Sequence, residues 1–140
     1  MDNEIKREII LDNFNNPFNK DGNINLGYEK INSNNESCID DIDLYIDIKD
    51  NIIKDIRFNG EACAISTSST SIMLKNIIGK NVLDAYKYVI NFMNMVEEKE
   101  YDEKLLGEGI VFNEIYKQQN RKTCVTLPYT GILKILEKYI

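Results

Sequence analysis

The spacing of hydrophobic positions divides the chain into one helix, a group of strands and then further helices. Near the start, apolar residues at helical spacing predict an amphipathic helix over residues 4–14. These residues are Ile5, Ile9, Ile10 and Phe14. The following segment, "NNPFNKDGN", ends the helix, because Pro17 disfavours helical geometry at the residue before it and Gly22 marks a turn.

From residue 42 the hydrophobic period falls to two, which is typical of half-buried strands. Residues 42–48 alternate cleanly, and residues 52–58 alternate again through Ile52, Lys54, Ile56 and Phe58, although Lys54 is polar. Because "KDN" at 49–51 is a turn signal, the two strands form a predicted hairpin. An isolated hairpin is marginal, so a third strand is expected at 27–34.

After Cys63 the pattern is helical to the end of the chain. The predicted helices cover 65–78, 81–99, a weaker stretch at 103–119 interrupted by glycines, and 126–139. Pro128 is expected in the first turn of the last helix, where proline is tolerated. Strands followed by helices predict an α+β fold in one domain, residues 1–140, with helices packed on one face of a small three-stranded antiparallel sheet.

The net charge and the lack of long apolar runs argue against several classes of partner and location. The chain has 140 residues and a net charge of −6, which argues against a nucleic-acid or anionic-membrane surface, since both require clustered Lys and Arg. No apolar run is long enough to cross a membrane, and the charged start "MDNEIKREII" lacks the apolar core of a signal peptide. A cytoplasmic protein is therefore expected. Disulfides are disfavoured there, so the three cysteines are expected to be free, catalytic or metal-bound.

Each cysteine lies at a junction between predicted elements. Cys38 is in the loop before a strand, Cys63 is between a strand and a helix, and Cys124 is just ahead of the last helix. Junctions at one end of a sheet can converge in space, and a helix N-terminus favours a thiolate at Cys63. The small side chains after Cys63 would let that helix approach other backbone closely. The alternative is that these cysteines are ordinary buried apolar residues.

Asp40 and Asp41 follow Cys38 almost directly. A carboxylate two residues from a thiolate can complete a tetrahedral site in a chain without histidine. A solvated cap before the strand is the alternative interpretation of this acidic pair.

Three stretches, "SCIDDI", "GEACAISTSSTSIM" and "RKTCVTLPY", resemble in that order the cysteine motifs of the U-type iron–sulfur cluster assembly proteins (the SufU/IscU/NifU-N family). The segment "ILDNFNNPFNKDGN" is also similar to the N-terminal part of that family. The likeness runs from about residue 5 to 138 and implies a SufE/NifU-like fold. In this chain Ile39 and Ala62 take the places of two glycines of the family pattern.

The resemblance implies a site that holds zinc or, alternatively, iron or a [2Fe–2S] cluster. Its implied ligands are Cys38, Asp40, Cys63 and Cys124. Three thiolates and a carboxylate leave a surplus of negative charge around Zn²⁺, which Arg121 is expected to offset from beside the ligands.

Within the family, the chain resembles the SufU branch more closely. The segment between Cys63 and Cys124 is long, with the extra stretch of that branch at about 97–120, and no histidine precedes Cys124. Members of this branch look like zinc proteins that accept persulfide sulfur from a cysteine desulfurase (SufS-like), so an accessory protein is expected rather than a free-standing enzyme. Cys38, on a polar loop, is the expected sulfur acceptor, and Cys124 is the alternative.

Three other functions stay open at this point. The same ligands could form a scaffold on which a [2Fe–2S] cluster is assembled. They could instead form a purely structural zinc site in a binding module. The chain could also be a metal-free α+β domain with cysteines in its core.

Overall fold

Four α-helices and a three-stranded antiparallel sheet make up the parts of the chain that this computed structural model describes, residues 1–21, 27–35 and 39–140. The elements are α1 (Asn3–Asn15), β1 (Glu29–Asn34), β2 (Asp41–Lys49), β3 (Ile52–Glu61), α2 (Ala64–Ile77), α3 (Val82–Val96) and α4 (Gln119–Leu136). The predicted α+β fold is confirmed. The turn expected at Gly22 lies outside the described residues.

The sheet has the strand order β1-β2-β3, and both pairs are antiparallel. A two-residue loop joins β2 to β3, and both of its residues, Asp50 and Asn51, have positive φ (53° and 60°). Tight hairpins of this kind require positive φ at both loop positions, which Asn and Asp tolerate better than most residues. The predicted hairpin and the predicted strand at 27–34 are therefore confirmed.

The prediction of which β3 residues face the core is wrong for the first half of the strand. The register shifts after Asp47, so that Asp47 pairs with Asp55 while Ile48 pairs with Ile53. Lys54 is the extra residue between these pairs and is exposed, whereas Ile53 is fully buried. This irregularity explains why a lysine interrupts the apolar series: an extra residue changes which positions face the core.

The helices pack on one face of the sheet. Alternate residues of β2 point into the core. Helix α4 packs against β1 and β2, α2 packs against β3, and α3 packs against α4. The innermost aromatic group is Phe92 of α3 stacked on Tyr129 of α4, with ring centroids 3.9 Å apart. Tyr88 lies beside them and donates a hydrogen bond to the Leu106 carbonyl at 3.2 Å. In the described ranges, no helix is both long and apolar enough to cross a bilayer.

The last helix begins earlier than predicted. It starts at Gln119 instead of residue 126, so Cys124 lies inside α4 and Pro128 lies in the helix interior. Since proline has no N–H, the carbonyl of Cys124 lacks its usual helical donor four residues later. The stretch at 103–119 is also not one weak helix: it forms three short 3₁₀ turns.

Two buried tyrosines are expected to make the fold less stable at high pH. Burial raises the pKa of Tyr88 to about 12, and burial together with Tyr88 raises the pKa of Tyr129 well above its ordinary value. In the unfolded chain each tyrosine has a pKa near 10, and below that pH its contribution to the free energy of unfolding is complete. The contribution is lost as the pH rises from there toward the higher pKa of the tyrosine in the folded chain. We expect the free energy of unfolding to fall by about 1.4 kcal/mol per pH unit for each tyrosine above pH 10.

Urea unfolding at pH 9, 10 and 11 measures this effect. The Tyr129→Phe variant removes one titrating phenol, so its stability should fall less steeply with pH than that of the wild type. Equal slopes for the two proteins would contradict the prediction.

Candidate metal centre

Three potential metal ligands from distant parts of the chain meet at one point. Asp40 precedes β2, Cys63 lies between β3 and α2, and Cys124 is in the second turn of α4. One carboxylate oxygen and the two sulfur atoms all lie within 4.8 Å of one another. Asp40 and Cys124 are buried, with 1% and 3% of their surface exposed, and Cys63 is half-buried. Cys38, the fourth expected ligand, lies outside the described residues.

The Asp40 carboxylate is held at both oxygens. Its Oδ1 accepts a hydrogen bond from the Cys63 N–H at 2.8 Å, and its Oδ2 accepts one from the Ser66 hydroxyl at 2.6 Å. Burial alone would raise the pKa of this carboxyl, but the hydrogen bonds from Ser66 and Cys63 outweigh it and lower the pKa below its ordinary value. Asp40 is therefore an ionised, oriented carboxylate at neutral pH and is not a solvated cap.

Cys63 is the N-cap residue of α2. Its backbone is extended (φ −67°, ψ 170°), and its Sγ accepts the Ser66 N–H at 3.4 Å. The sulfur thus takes the place of the oxygen that usually caps a helix. This confirms the predicted position of Cys63 at the start of a helix, where the unpaired N–H groups favour negative charge.

Cys124 presents its sulfur from the side of a helix and not from a loop. The thiol lies 3.7 Å from the Asn120 carbonyl in the preceding turn. Burial raises the pKa of Cys124 to about 12, and the neighbouring Cys63 and Asp40 act in the same direction. In the metal-free chain this thiol is therefore protonated at neutral pH, and a bound cation would have to displace its proton.

Serine side chains fix α4 beside the site. Ser66 lies 3.1 Å from the Cys124 carbonyl, Ser69 donates to the Val125 carbonyl at 2.6 Å, and Ser33 of β1 donates to the Leu127 carbonyl at 2.7 Å. The expected close approach of α2 to other backbone is thus present, through hydroxyl groups. The contact between Ser66 and Asp40 was missing from the sequence prediction. The available signal was its position three residues after Cys63, on the same side of the first helical turn.

Arg121 lies on a surface with three other basic residues. It is exposed, and its side chain lines an open groove of about 550 Å³ together with Lys6, Arg7 and Lys117. Within the described part of the chain no ion pair forms at Arg121. Its expected role in offsetting the charge of the ligands stays a prediction.

The donor set fits a borderline-soft cation. Two thiols and one carboxylate are ligand types that zinc accepts, and sulfur ligands favour zinc or iron–sulfur clusters over calcium and magnesium. At a Zn–S length of about 2.3 Å, two sulfurs of a tetrahedral site are about 3.8 Å apart. The two sulfurs here lie within 4.8 Å of each other, so zinc binding would bring them closer by about 1 Å at most. The three residues therefore fit three of four zinc positions.

The chain belongs to the family described as the NifU-like N terminal domain, which matches residues 5–125. This confirms the resemblance drawn from the three cysteine motifs.

Particular relatives refine this assignment. The chain is 34% identical over 135 residues to the zinc-dependent sulfurtransferase SufU of Bacillus subtilis, covering 96% of this chain and 90% of that protein. It is 32% identical over 104 residues to the iron–sulfur cluster assembly scaffold protein IscU of Thermotoga maritima, covering 74% and 73% of the two chains.

A solved structure also matches closely. A putative iron–sulfur cluster assembly scaffold protein for the SUF system, from Fervidobacterium islandicum, superimposes with a TM-score of 0.82 at 34% identity. The match covers 91% of this chain and 93% of that one. The predicted fold is thus confirmed against a crystal structure of the same family.

Proposed function

We propose that this chain is a zinc-binding sulfur acceptor of iron–sulfur cluster assembly, which takes persulfide sulfur from a cysteine desulfurase. The observation that carries the proposal is the buried meeting point of Asp40, Cys63 and Cys124. It is supported by the similarity to a protein named as a zinc-dependent sulfurtransferase over 96% of the chain.

Cys38 is the proposed fourth ligand. It precedes Asp40 by two residues, and two peptide units span at most about 7 Å. A fourth sulfur would close a tetrahedral zinc site and complete the set of Cys38, Asp40, Cys63 and Cys124. Zinc would keep the sulfurs as thiolates at neutral pH and shield them from oxidation.

Cys38 is also the proposed sulfur acceptor. Its thiolate attacks the outer sulfur of the donor persulfide; a new S–S bond forms on Cys38, and the S–S bond of the donor breaks to leave a thiolate there. The number of electrons is unchanged, so no oxidant is needed. Cys124, the alternative acceptor, is 3% exposed and lies within a helix, which restricts the access that such an exchange requires.

The sulfur donor defines the main partner. A persulfide on a protein cysteine is the product of a cysteine desulfurase, and we propose a SufS-like enzyme in this role, in the cytoplasm. No nucleic-acid partner is proposed, since the net charge of −6 disfavours binding to a polyanion.

The proposal is tested by metal content and by sulfur uptake. Protein purified without added metal should contain about one zinc per chain by elemental analysis, as expected for a single four-ligand site. Incubated with a SufS-type desulfurase and radiolabelled cysteine, the wild type should acquire label that thiol reductant removes. A metal-free protein, or one that acquires no label, would refute the proposed function.

We expect Cys38→Ala to reduce this labelling by about tenfold or more, because the attacking thiolate is lost. Cys124→Ala is the comparison, and zinc content is measured for both variants, since each also removes a proposed ligand. Normal labelling of Cys38→Ala together with loss in Cys124→Ala would transfer the acceptor role to Cys124.

A second candidate function is a scaffold for a [2Fe–2S] cluster, which the similarity to IscU favours. The two candidates differ in the metal of the isolated protein: a cluster gives visible absorbance and stoichiometric iron, whereas zinc gives neither. A structural zinc module would bind zinc but would show no labelling with the desulfurase.

A further inference from the structure

Ser66 occupies the centre of the hydrogen-bond network around the three ligands. It is fully buried in the first turn of α2. Its hydroxyl lies 2.6 Å from Asp40 Oδ2, 3.1 Å from the Cys124 carbonyl and 3.5 Å from Cys63 Sγ. Its backbone N–H donates to Cys63 Sγ at 3.4 Å. One residue therefore touches every ligand that the structure describes.

We infer that Ser66 is a positioning residue for the metal centre, whose hydroxyl holds the Asp40 carboxylate toward the two sulfurs. This inference rests on the proposed metal site. A carboxylate fixed at one oxygen alone can still turn about its Cβ–Cγ bond. The Cys63 N–H fixes Oδ1, and the Ser66 hydroxyl fixes Oδ2, so the plane of the carboxylate is set before a metal arrives.

The hydroxyl of Ser66 has one proton and two oxygen acceptors within reach. The charged carboxylate at 2.6 Å is the stronger acceptor. The carbonyl of Cys124 is a second acceptor, because Pro128 removes the helical N–H that would otherwise occupy it. The proton can therefore turn to the Cys124 carbonyl when Asp40 moves, and the buried hydroxyl keeps a partner in both arrangements.

Ser69 provides a matched control on the same helix. It is as buried as Ser66 and donates to the adjacent carbonyl of α4, that of Val125, at 2.6 Å. The structure gives it no hydrogen bond to Asp40, Cys63 or the sulfur of Cys124 within the described residues. Removal of either hydroxyl loosens the packing of α2 on α4, but only removal of Ser66 releases the carboxylate.

The test is a double-mutant cycle on zinc affinity, measured by competition with a chelator of known zinc affinity, using the full chain. We expect Ser66→Ala to weaken zinc binding by about 10- to 100-fold, the usual cost of losing a group that orients a ligand. Ser69→Ala should change it by less than about threefold, since the residue does not touch a ligand. In an Asp40→Ala background, which leaves no side-chain oxygen to accept the Ser66 hydroxyl, Ser66→Ala should have almost no further effect, because Ser66 acts through the Asp40 carboxylate.

Two results would overturn the inference. One is equal weakening by Ser66→Ala and Ser69→Ala, which would assign the effect to helix packing. The other is a loss from Ser66→Ala that is the same in the wild-type background and in the Asp40→Ala background. Tight zinc binding by the wild type with either result refutes the inference alone; a wild type that binds no zinc refutes the proposed function as well.

Discussion

Replacement of Cys63 by serine is expected to weaken zinc binding strongly while α2 remains capped. The binding free energy of a four-ligand structural zinc site is about 10–16 kcal/mol, so one thiolate accounts for roughly 2.5–4 kcal/mol if the ligands share it equally. We therefore expect zinc affinity about 10²- to 10³-fold weaker, measured by chelator competition.

The choice of serine separates ligand loss from unfolding. Cys63 caps α2 through its sulfur, and serine is a preferred residue at a helix N-cap. The unfolding free energy of metal-free Cys63→Ser in urea should thus stay within about 1 kcal/mol of the wild type. Wild-type zinc affinity in this variant would exclude Cys63 as a ligand.

Gly60→Ala is expected to cause the largest loss of stability. Gly60 has φ +122°, and a Cβ at this position would lie 2.1 Å from the Asp41 carbonyl oxygen on the neighbouring strand. Positive φ and a backbone clash together should cost about 2–6 kcal/mol, measured as the unfolding free energy in urea. Because Asp41 follows Asp40 in the chain, the same clash should also weaken zinc binding.

Gly79→Ala separates the effect of positive φ from the effect of the backbone clash. Gly79 also has positive φ (+91°), but a Cβ there would meet nothing within 4 Å. Its substitution should therefore cost only the backbone strain, about 1–3 kcal/mol, and should leave zinc affinity unchanged. Equal losses in the two variants would show that β2 and β3 relax to accommodate the Cβ added at position 60.

The elements with the clearest local patterns were predictable. The alternation in residues 42–48 and the turn at Asp50–Asn51 are properties of neighbouring residues, and the structure has both. The order of strands and helices was sufficient for the α+β class. The exposed position of Lys54 was not predictable in the same way, since an extra residue in β3 is defined only by its pairing with β2.

The start of α4 was missed for a related reason. The polar residues around Cys124 and the proline at 128 predict a late helix start. In the structure, buried serines of α2 and β1 donate hydrogen bonds to carbonyl groups of α4 and so stabilise its earlier turns. The contact between Asp40 and Ser66 joins residues 26 positions apart, and its one sequence signal is the place of Ser66 three residues after Cys63. The sequence showed only that Ala62 stands where the family pattern has a glycine. Ala62 is not among the described non-glycine residues with positive φ, so alanine fits at this position without backbone strain.

The aromatic stack that includes Tyr129 of α4 provides an intrinsic spectroscopic signal near the site. Tyr129 follows Cys124 by five residues on the same helix and lies between Phe92 and Tyr88. The chain has no tryptophan, so tyrosine dominates its near-ultraviolet absorbance. A shift of α4 on loading of the site would alter the surroundings of that buried phenol, and difference spectroscopy could follow it without a label.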